Sequence, residues 1–249
     1  MAEQKVIAIG GITGGIGSAL AQKLVKSGHT VLGYARNADR IATFNAEHGL
    51  SCETVDSTDP DALANFLKAS VEKEGRIDAY VHAIGSIFLK PAHLTSPESW
   101  TEVMQTNLFS AFYALRTCAQ LMQKQSSGNC LFFSTAAAQV GISNHEAIAA
   151  AKGGIEAMVR SAAATYSSKG LRFNAIAPSL TDTPLAKPII GSAPALEISK
   201  RMHPLGQIGN ASDIASLAAW LISDEAKFVT GQTITVDGGI STIVPKPKA

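Results

Sequence analysis

Residues 6–28 read VIAIGGITGGIGSALAQKLVKSG. A short apolar run enters a glycine-rich turn, and beyond it apolar residues recur at helical spacing. Strand, tight loop and helix in that order open a dinucleotide-binding βαβ unit. Gly11 permits the tight turn, Gly15 lets the backbone approach a pyrophosphate, and Gly17 allows helix and strand to pack closely. The helix start then offers unpaired N–H groups and positive dipole to the phosphates.

The same alternation continues outward. KVIAIG, TVLGYA, SCETVD, IDAYVHAIG, NCLFFS, LRFNAIAP and QTITVDGG read as strands, rich in β-branched and aromatic residues and mostly bounded by Gly, Asp or Pro. Residues 15–27, 59–74, 97–123, 145–168 and 211–223 carry apolar residues at helical spacing. This predicts an α/β fold: a single Rossmann-like, doubly wound, parallel seven-stranded sheet with helices on both faces. No repeat or linker divides the chain, so one domain is expected over residues 1–249. One region breaks the rhythm. Between residues 179 and 209 prolines at 184, 188, 194 and 204 interrupt the pattern, just after Pro178 at a strand's carboxyl end. Ligands bind on that side of an open α/β sheet, so the segment is expected to be a substrate lid with a short helix around 195–202.

Composition narrows the class. With 21 Lys+Arg against 20 Asp+Glu the net charge is +1, and no basic cluster suggests nucleic acid or an anionic membrane. Apolar residues make up 46%, yet no segment of the roughly 20 apolar residues needed to span a bilayer occurs. The apolar run in MAEQKVIAIGG is too short for a signal peptide and enters the glycine turn directly. Cys52, Cys118 and Cys130 form no CxxC pair and read as reduced core thiols. These features point to a soluble cytoplasmic protein.

About 20 residues past the glycines, a cofactor with a free ribose 2′-hydroxyl would want a carboxylate at the end of the second strand. The chain has Ala35 and then Arg36. Arg36 either pairs with a 2′-phosphate and stacks on adenine or is a solvated surface arginine; the first reading favours NADP(H) over NAD(H). Asp56 ends the third strand, where it either accepts from an adenine amino group or opens the next helix.

The chain resembles the short-chain dehydrogenase/reductase family along nearly its whole length. The resemblance rests on GGITGGIG, VHAIG after the fourth strand, the asparagine of TNLFSAF, NCLFFST, AAAKGG, RFNAIAPSLTDTP and the closing PLGQIGNASDIASLAAWLISDEAKFVTGQTITVDGG. It implies a nicotinamide cofactor, a small-molecule substrate and a homo-oligomer, tetramer or dimer. By position it implies that Asn107 organises a water and the lysine, that Lys152 binds the nicotinamide ribose, and that Thr135 stands where the family's serine would lie. It also implies cofactor contacts from Thr13, Ile16, Ser57, Ala83, Gly85, Pro178, Thr181 and Thr183. The neighbouring Ser134 would point to the opposite face of its strand.

One position departs from the pattern. The family's tyrosine lies four residues before the lysine, and here that residue is Ile148. A positioned general acid contributes about 10²–10⁴-fold, less than the roughly 10⁶-fold or more that enzymes achieve. Reduction of a simple ketone suffers most, because its basic alkoxide must take a proton. Hydride addition to a conjugated C=C gives a less basic enolate, which hydrogen bonds can hold while water protonates carbon.

Ser143-x-x-Glu146 has capping-box spacing, which predicts a helix start at Ser143 and places His145, Ile148 and Lys152 on one face. His145 stands seven before the lysine, where divergent enoyl-thioester reductases of the superfamily carry their tyrosine; the alternative is an exposed first-turn residue. Some dienoyl-thioester reductases of the family likewise lack the tyrosine. His82 is expected to line the cofactor floor or satisfy a backbone carbonyl, and Lys90 either meets an acidic substrate or is solvated. The leading expectation is an NADP(H)-dependent reductase of an activated C=C or carbonyl, enoyl- or enone-like. The alternative is a catalytically silent relative that binds the nucleotide as a sensor or structural subunit.

Overall fold

The computed structural model describes residues 3–244. Strands β1 (Val6–Gly10), β2 (Thr30–Ala35), β3 (Glu53–Thr54), β4 (Ala79–His82), β5 (Gly128–Phe133) and β6 (Leu171–Pro178) run along the chain. The short strands β7 (Thr181–Asp182) and β8 (Gly209–Asn210) follow, and then β9 (Thr233–Val236). A seven-stranded sheet forms in the order β3-β2-β1-β4-β5-β6-β9, and each neighbouring pair is parallel. The strand order reverses between β1 and β4, which opens a crevice at their carboxyl ends.

Helices cover both faces. Side chains of α1 (Gly15–Lys26), α2 (Ala38–His48) and α9 (Ala211–Leu221) pack with Ile7 and Ile9 of β1. Ala8 points the other way, into the core formed with α3 (Pro60–Glu74), α5 (Ser110–Gln125) and α6 (Glu146–Tyr166). Because both faces are buried, the central strands are near-continuous apolar runs. The three cysteines are buried and unbridged.

Three local expectations need correction. Helix α2 was not anticipated: its Asn37 cap accepts from Arg40 N (2.9 Å) and Gly49 closes it, but it buries only Ile41 and Phe44. The expected helix over 97–123 is α4 (Pro97–Met104), a π-helical segment (Gln105–Phe109) and α5, which runs on to Gln125. The Ser143 capping box does not form. Asn144 turns the chain at φ 64°, and α6 begins at Glu146 with His145 in the cap position and no side-chain cap bond.

The segment after β6 is ordered by its own structure. It carries the one-turn α7 (Lys187–Ile190) and α8 (Ala193–Met202), close to the helix expected around 195–202. Thr181 pairs with Gly209, so β7 and β8 tie the two ends of the segment together.

Candidate functional site

The glycine turn leads into α1 with no capping side chain and no acidic residue in the first turn. Its first amides therefore remain available to an anion. A Cβ on Gly11, which has φ 77°, would stand 2.5 Å from Ala83 O, and one on Gly15 would stand 2.7 Å from Thr183 Cγ2. Gly17 sits behind the turn, where a Cβ would collide with Gly11 O. Above this cradle a cavity of about 390 Å³ is lined by Gly11, Thr13, Gly15, Ile16, Arg36, Asp56, Ser57, Ala83, Gly85 and Thr183. A dinucleotide fits such a cradle: the backbone comes close, the helix start is bare, and basic side chains stand at the far end.

Arg40 belongs to that end as well. It lines the same cavity and donates through Nη2 to Thr13 O (2.6 Å). The sequence reading missed it because it lies on α2, the helix that also went unread. The next helix is opened by Asp59, whose side chain caps it, and not by Asp56. Asp56 lines the cavity, and its Oδ1 accepts from Thr58 N (2.9 Å) and Thr58 Oγ1 (2.7 Å). These hydrogen bonds, with the Arg36 charge adding, hold its carboxyl below the usual value.

A second cavity, of about 320 Å³, shares Ile16, Ala83, Ile84, Gly85 and Thr183 with the first. Thr135, His145, Ile148, Lys152, Pro178 and Thr181 line it, and Ile87, Leu89, Ile142 and Ile189 make its wall largely apolar. Lys152 is 6% exposed, and its Nζ donates to Phe133 O (2.9 Å) and Ile84 O (3.3 Å). An ammonium has three donors, so one remains for a bound group. Burial pulls this ammonium down to about 8.

Thr135 follows β5 in an extended conformation, and its hydroxyl oxygen accepts from Ala137 N (3.3 Å), leaving its proton free to donate. Ser134 is committed elsewhere, donating to Glu156 Oε1 (2.6 Å). Asn107 lies in the π-helical segment, is fully buried and lines neither cavity. Its Oδ1 accepts from Ser86 N (3.1 Å), and its Nδ2 donates to Ser86 Oγ and Val103 O (2.9 Å each). Gly85 joins these parts, because a Cβ there would lie 3.0 Å from Asn107 Oδ1 and 3.1 Å from Lys152 Nζ.

Ile148 is 6% exposed and packs with Val103, Ala147 and Ala151 against Phe88, Met104 and Leu108 while it lines the cavity. His145 Nδ1 lies 2.8 Å from Ser143 O. A carbonyl only accepts, so Nδ1 carries the proton and Nε2 is bare in the neutral ring. That makes His145 a poor substitute for the missing phenol.

His82 does neither of the things expected of it. It is fully buried in a row of side chains running Tyr34–Tyr80–His82–Ser110, with spacings of 2.7, 2.8 and 3.0 Å. Ser110 Oγ donates to Thr106 O (2.6 Å), so it accepts from His82 Nε2, and Nδ1 accepts from Tyr80. The row thus props the carbonyl beside Asn107. Burial, with the Lys152 charge adding, pushes the imidazole down to about 3. Below about pH 6.5 the unfolded chain binds a proton there that the folded chain refuses, so stability falls on acidification by about 1.4 kcal/mol per pH unit. Urea unfolding at a series of pH values checks this, and a His82→Gln variant is expected to lose that part of the slope.

Two details were not legible in advance: the π-helical segment under Asn107, and a Ser179–His203 pair in the wall of the apolar cavity. Among the described residues no helix is long and apolar enough to cross a membrane.

Comparison with known proteins agrees with this layout. The family model described as Enoyl-(Acyl carrier protein) reductase matches residues 11–241. A Bacillus subtilis protein named "Probable 2,4-dienoyl-CoA reductase" is 32% identical over 95% of this chain and 96% of its own. The 3-oxoacyl-acyl-carrier-protein reductase of Vibrio cholerae is 29% identical over 97% of this chain and 99% of its own. Among solved structures, a short-chain type dehydrogenase/reductase from Mycobacterium ulcerans superposes with a TM-score of 0.92 at 29% identity, covering 97% of this chain and 91% of that one. The chain belongs to the short-chain dehydrogenase/reductase family, whose members are oxidoreductases that use a nicotinamide cofactor.

Proposed function

We propose that the protein is an NADP(H)-dependent reductase acting on an activated C=C or carbonyl compound, with enones and enoyl thioesters favoured. The carrying observation is the Lys152 amine, beside Gly85 where the nucleotide cradle meets the apolar cavity, with one donor uncommitted. Bound there, the nicotinamide supplies a hydride. Gly11, Thr13, Gly15, Ile16 and Gly17 hold the pyrophosphate end; Asp56, Ser57 and Ala83 hold the adenosine half. Gly85, Pro178, Thr181, Thr183 and Lys152 hold the nicotinamide half. Thr135 donates to the substrate oxygen, Lys152 stabilises charge developing on it, and Asn107 positions the lysine through the Gly85–Ser86 loop. These are electrostatic and proximity effects that survive loss of the tyrosine. Ile148 favours substrates whose reduction leaves an enolate over simple ketones. The name of the Bacillus relative points to the same substrate class.

Arg36 and Arg40, with Ala35 in place of a carboxylate, favour the phosphorylated cofactor. Arg36→Ala is expected to weaken NADPH binding about 10–100-fold, the scale of one or two charge-assisted hydrogen bonds, with little effect on NADH. Cofactor fluorescence titration checks it. Equal use of NADH and NADPH by the parent protein would remove the role given to Arg36.

The functional test follows NADPH oxidation against matched panels of ketones, enones and α,β-unsaturated thioesters. Turnover of none of them despite tight NADPH binding would leave the second reading, a silent nucleotide-binding subunit, which the hydrocarbon at Ile148 favours. The segment 179–209 serves as the substrate lid of one domain spanning the chain. Trp100, Phe109 and Phe112, exposed along α4, the π-helical segment and α5, suit burial in a homo-oligomer, a dimer or tetramer. Buried, unbridged thiols suit a cytoplasmic setting.

A further inference from the structure

The apolar cavity holds a second polar device. Ser179 follows Pro178 at the end of β6, and His203 follows the last residue of α8. Ser179 Oγ and His203 Nε2 stand 2.8 Å apart, and His203 Nδ1 lies 2.7 Å from Ser199 O. A carbonyl only accepts, so Nδ1 carries a proton and Nε2 is the bare nitrogen of the neutral ring. The Ser179 hydroxyl donates to it. When the ring is charged the bond reverses: Nε2–H donates to Ser179 Oγ and frees the hydroxyl proton for another acceptor.

The surroundings suit that exchange. His203 is 5% exposed, and Ser179, Ser199 and His203 line the same cavity as Thr135, Ile148 and Lys152. Asp237 lies beside it; burial raises its carboxyl, but hydrogen bonds from Ser241 and Gly239, with His203 adding, hold it below its usual value. That carboxylate stands where the charged ring of a proton relay would need a counter-ion. The arrangement has what a general acid needs: a donor on the cavity wall, an imidazole behind it that can resupply the proton, and a fixed orientation.

We propose that Ser179 delivers the proton of the reaction and that His203 recharges it, in place of the phenol that Ile148 excludes. The inference rests on the reductase reading. Hydride addition at the β-carbon of an enone moves the C=C electron pair toward the carbonyl and leaves an enolate. The Ser179 O–H bond breaks as its proton forms a C–H bond at the α-carbon. The serine oxygen takes the Nε2 proton of His203 in the same motion, leaving a neutral imidazole. A hydronium proton from solvent, entering through the cavity mouth, then recharges His203, so the net change is one hydride and one solvent proton added across the double bond.

The test uses the full chain, NADPH and an α-methyl cyclic enone in heavy water. The parent is expected to turn over and to place deuterium on one face of the α-carbon, read by NMR of the product. Ser179→Ala is expected to lower kcat by about 10²-fold, at the low end for a general acid because water also protonates the enolate. It is also expected to give a mixture of configurations, with KM and NADPH affinity by fluorescence unchanged. Ser179→Thr, which keeps the hydroxyl, is expected to restore both rate and configuration. Nitrogen NMR of the His203 ring, without cofactor and at the pH of turnover, is expected to show both nitrogens protonated, with an Nε2 signal that moves in Ser179→Ala; a bare Nε2 there would overturn the relay. An active parent with an unchanged rate and a single configuration in Ser179→Ala would overturn the relay and leave the reductase reading standing. A parent that binds NADPH and turns over nothing would overturn both.

Discussion

Replacing Ile148 with tyrosine is expected to raise the reduction of simple ketones by about 10²–10⁴-fold, the contribution of one positioned general acid. The rest of the constellation already faces position 148. Lys152 lies one helical turn on along α6, Thr135 faces the same cavity, and that cavity, about 320 Å³, has room for a phenol. The Lys152 ammonium would pull the new hydroxyl toward the pH at which it gives up a proton easily. The change disturbs the cluster of Val103, Ala147 and Ala151, at a cost of about 1–3 kcal/mol of stability. Enone turnover should move far less, since an enolate needs no strong acid. Measuring kcat/KM for a ketone and an enone, parent against Ile148→Tyr, separates the two. Intact NADPH binding with no gain in ketone reduction would show that the cavity does not hold a carbonyl against Thr135 and Lys152.

Lys152→Met is expected to lower turnover by about 10³-fold, because it removes a preorganised donor near the reacting atoms and a contact to the cofactor. It also makes a prediction about the free protein. Burial holds the folded lysine down to about 8, below its value in the unfolded chain. Between about pH 8 and 10.5 the unfolded chain therefore holds a proton that the folded chain has released, so this group makes stability rise with pH by about 1.4 kcal/mol per unit. Below that window the folded protein carries the full cost of a buried ammonium. Urea unfolding of the parent and Lys152→Met on the alkaline side should show this increment in the parent alone. Thiols and phenols that titrate in the same range cancel in the difference. The same slope in both proteins would mean that the ammonium is well solvated in the apo cavity.

Most of the fold was legible because its signals are local. TVLGYA and LRFNAIAP form strands with the expected bounds, since a parallel strand buried on both faces has no other pattern to show. Helix α2 was missed because its buried face is Ile41 and Phe44 alone, although Asn37 and Gly49 marked both of its ends. The false capping box shows the opposite error: Ser143 and Glu146 have the right spacing, but Asn144 turns the chain between them. The site divides in the same way. The glycine turn and Lys152 could be read from neighbours in sequence. Arg40 could not be placed without α2, and Ser179 and His203 meet across 24 residues, a tertiary contact that no local pattern announces.

The row Tyr34–Tyr80–His82–Ser110 has a consequence for how this protein can change over generations. A Cβ on Gly10 would strike the Tyr34 hydroxyl, so the glycine and the row occupy one another's space. Each side chain in the row is the other's hydrogen-bond partner, and all of them are shut away from water. Removing any one strands a polar atom in the core, while replacing the set with apolar groups of matching shape leaves nothing stranded. These positions therefore form a unit of inheritance: single steps away from it lead downhill, and a lineage or a mutant library leaves this arrangement only by exchanging the row together.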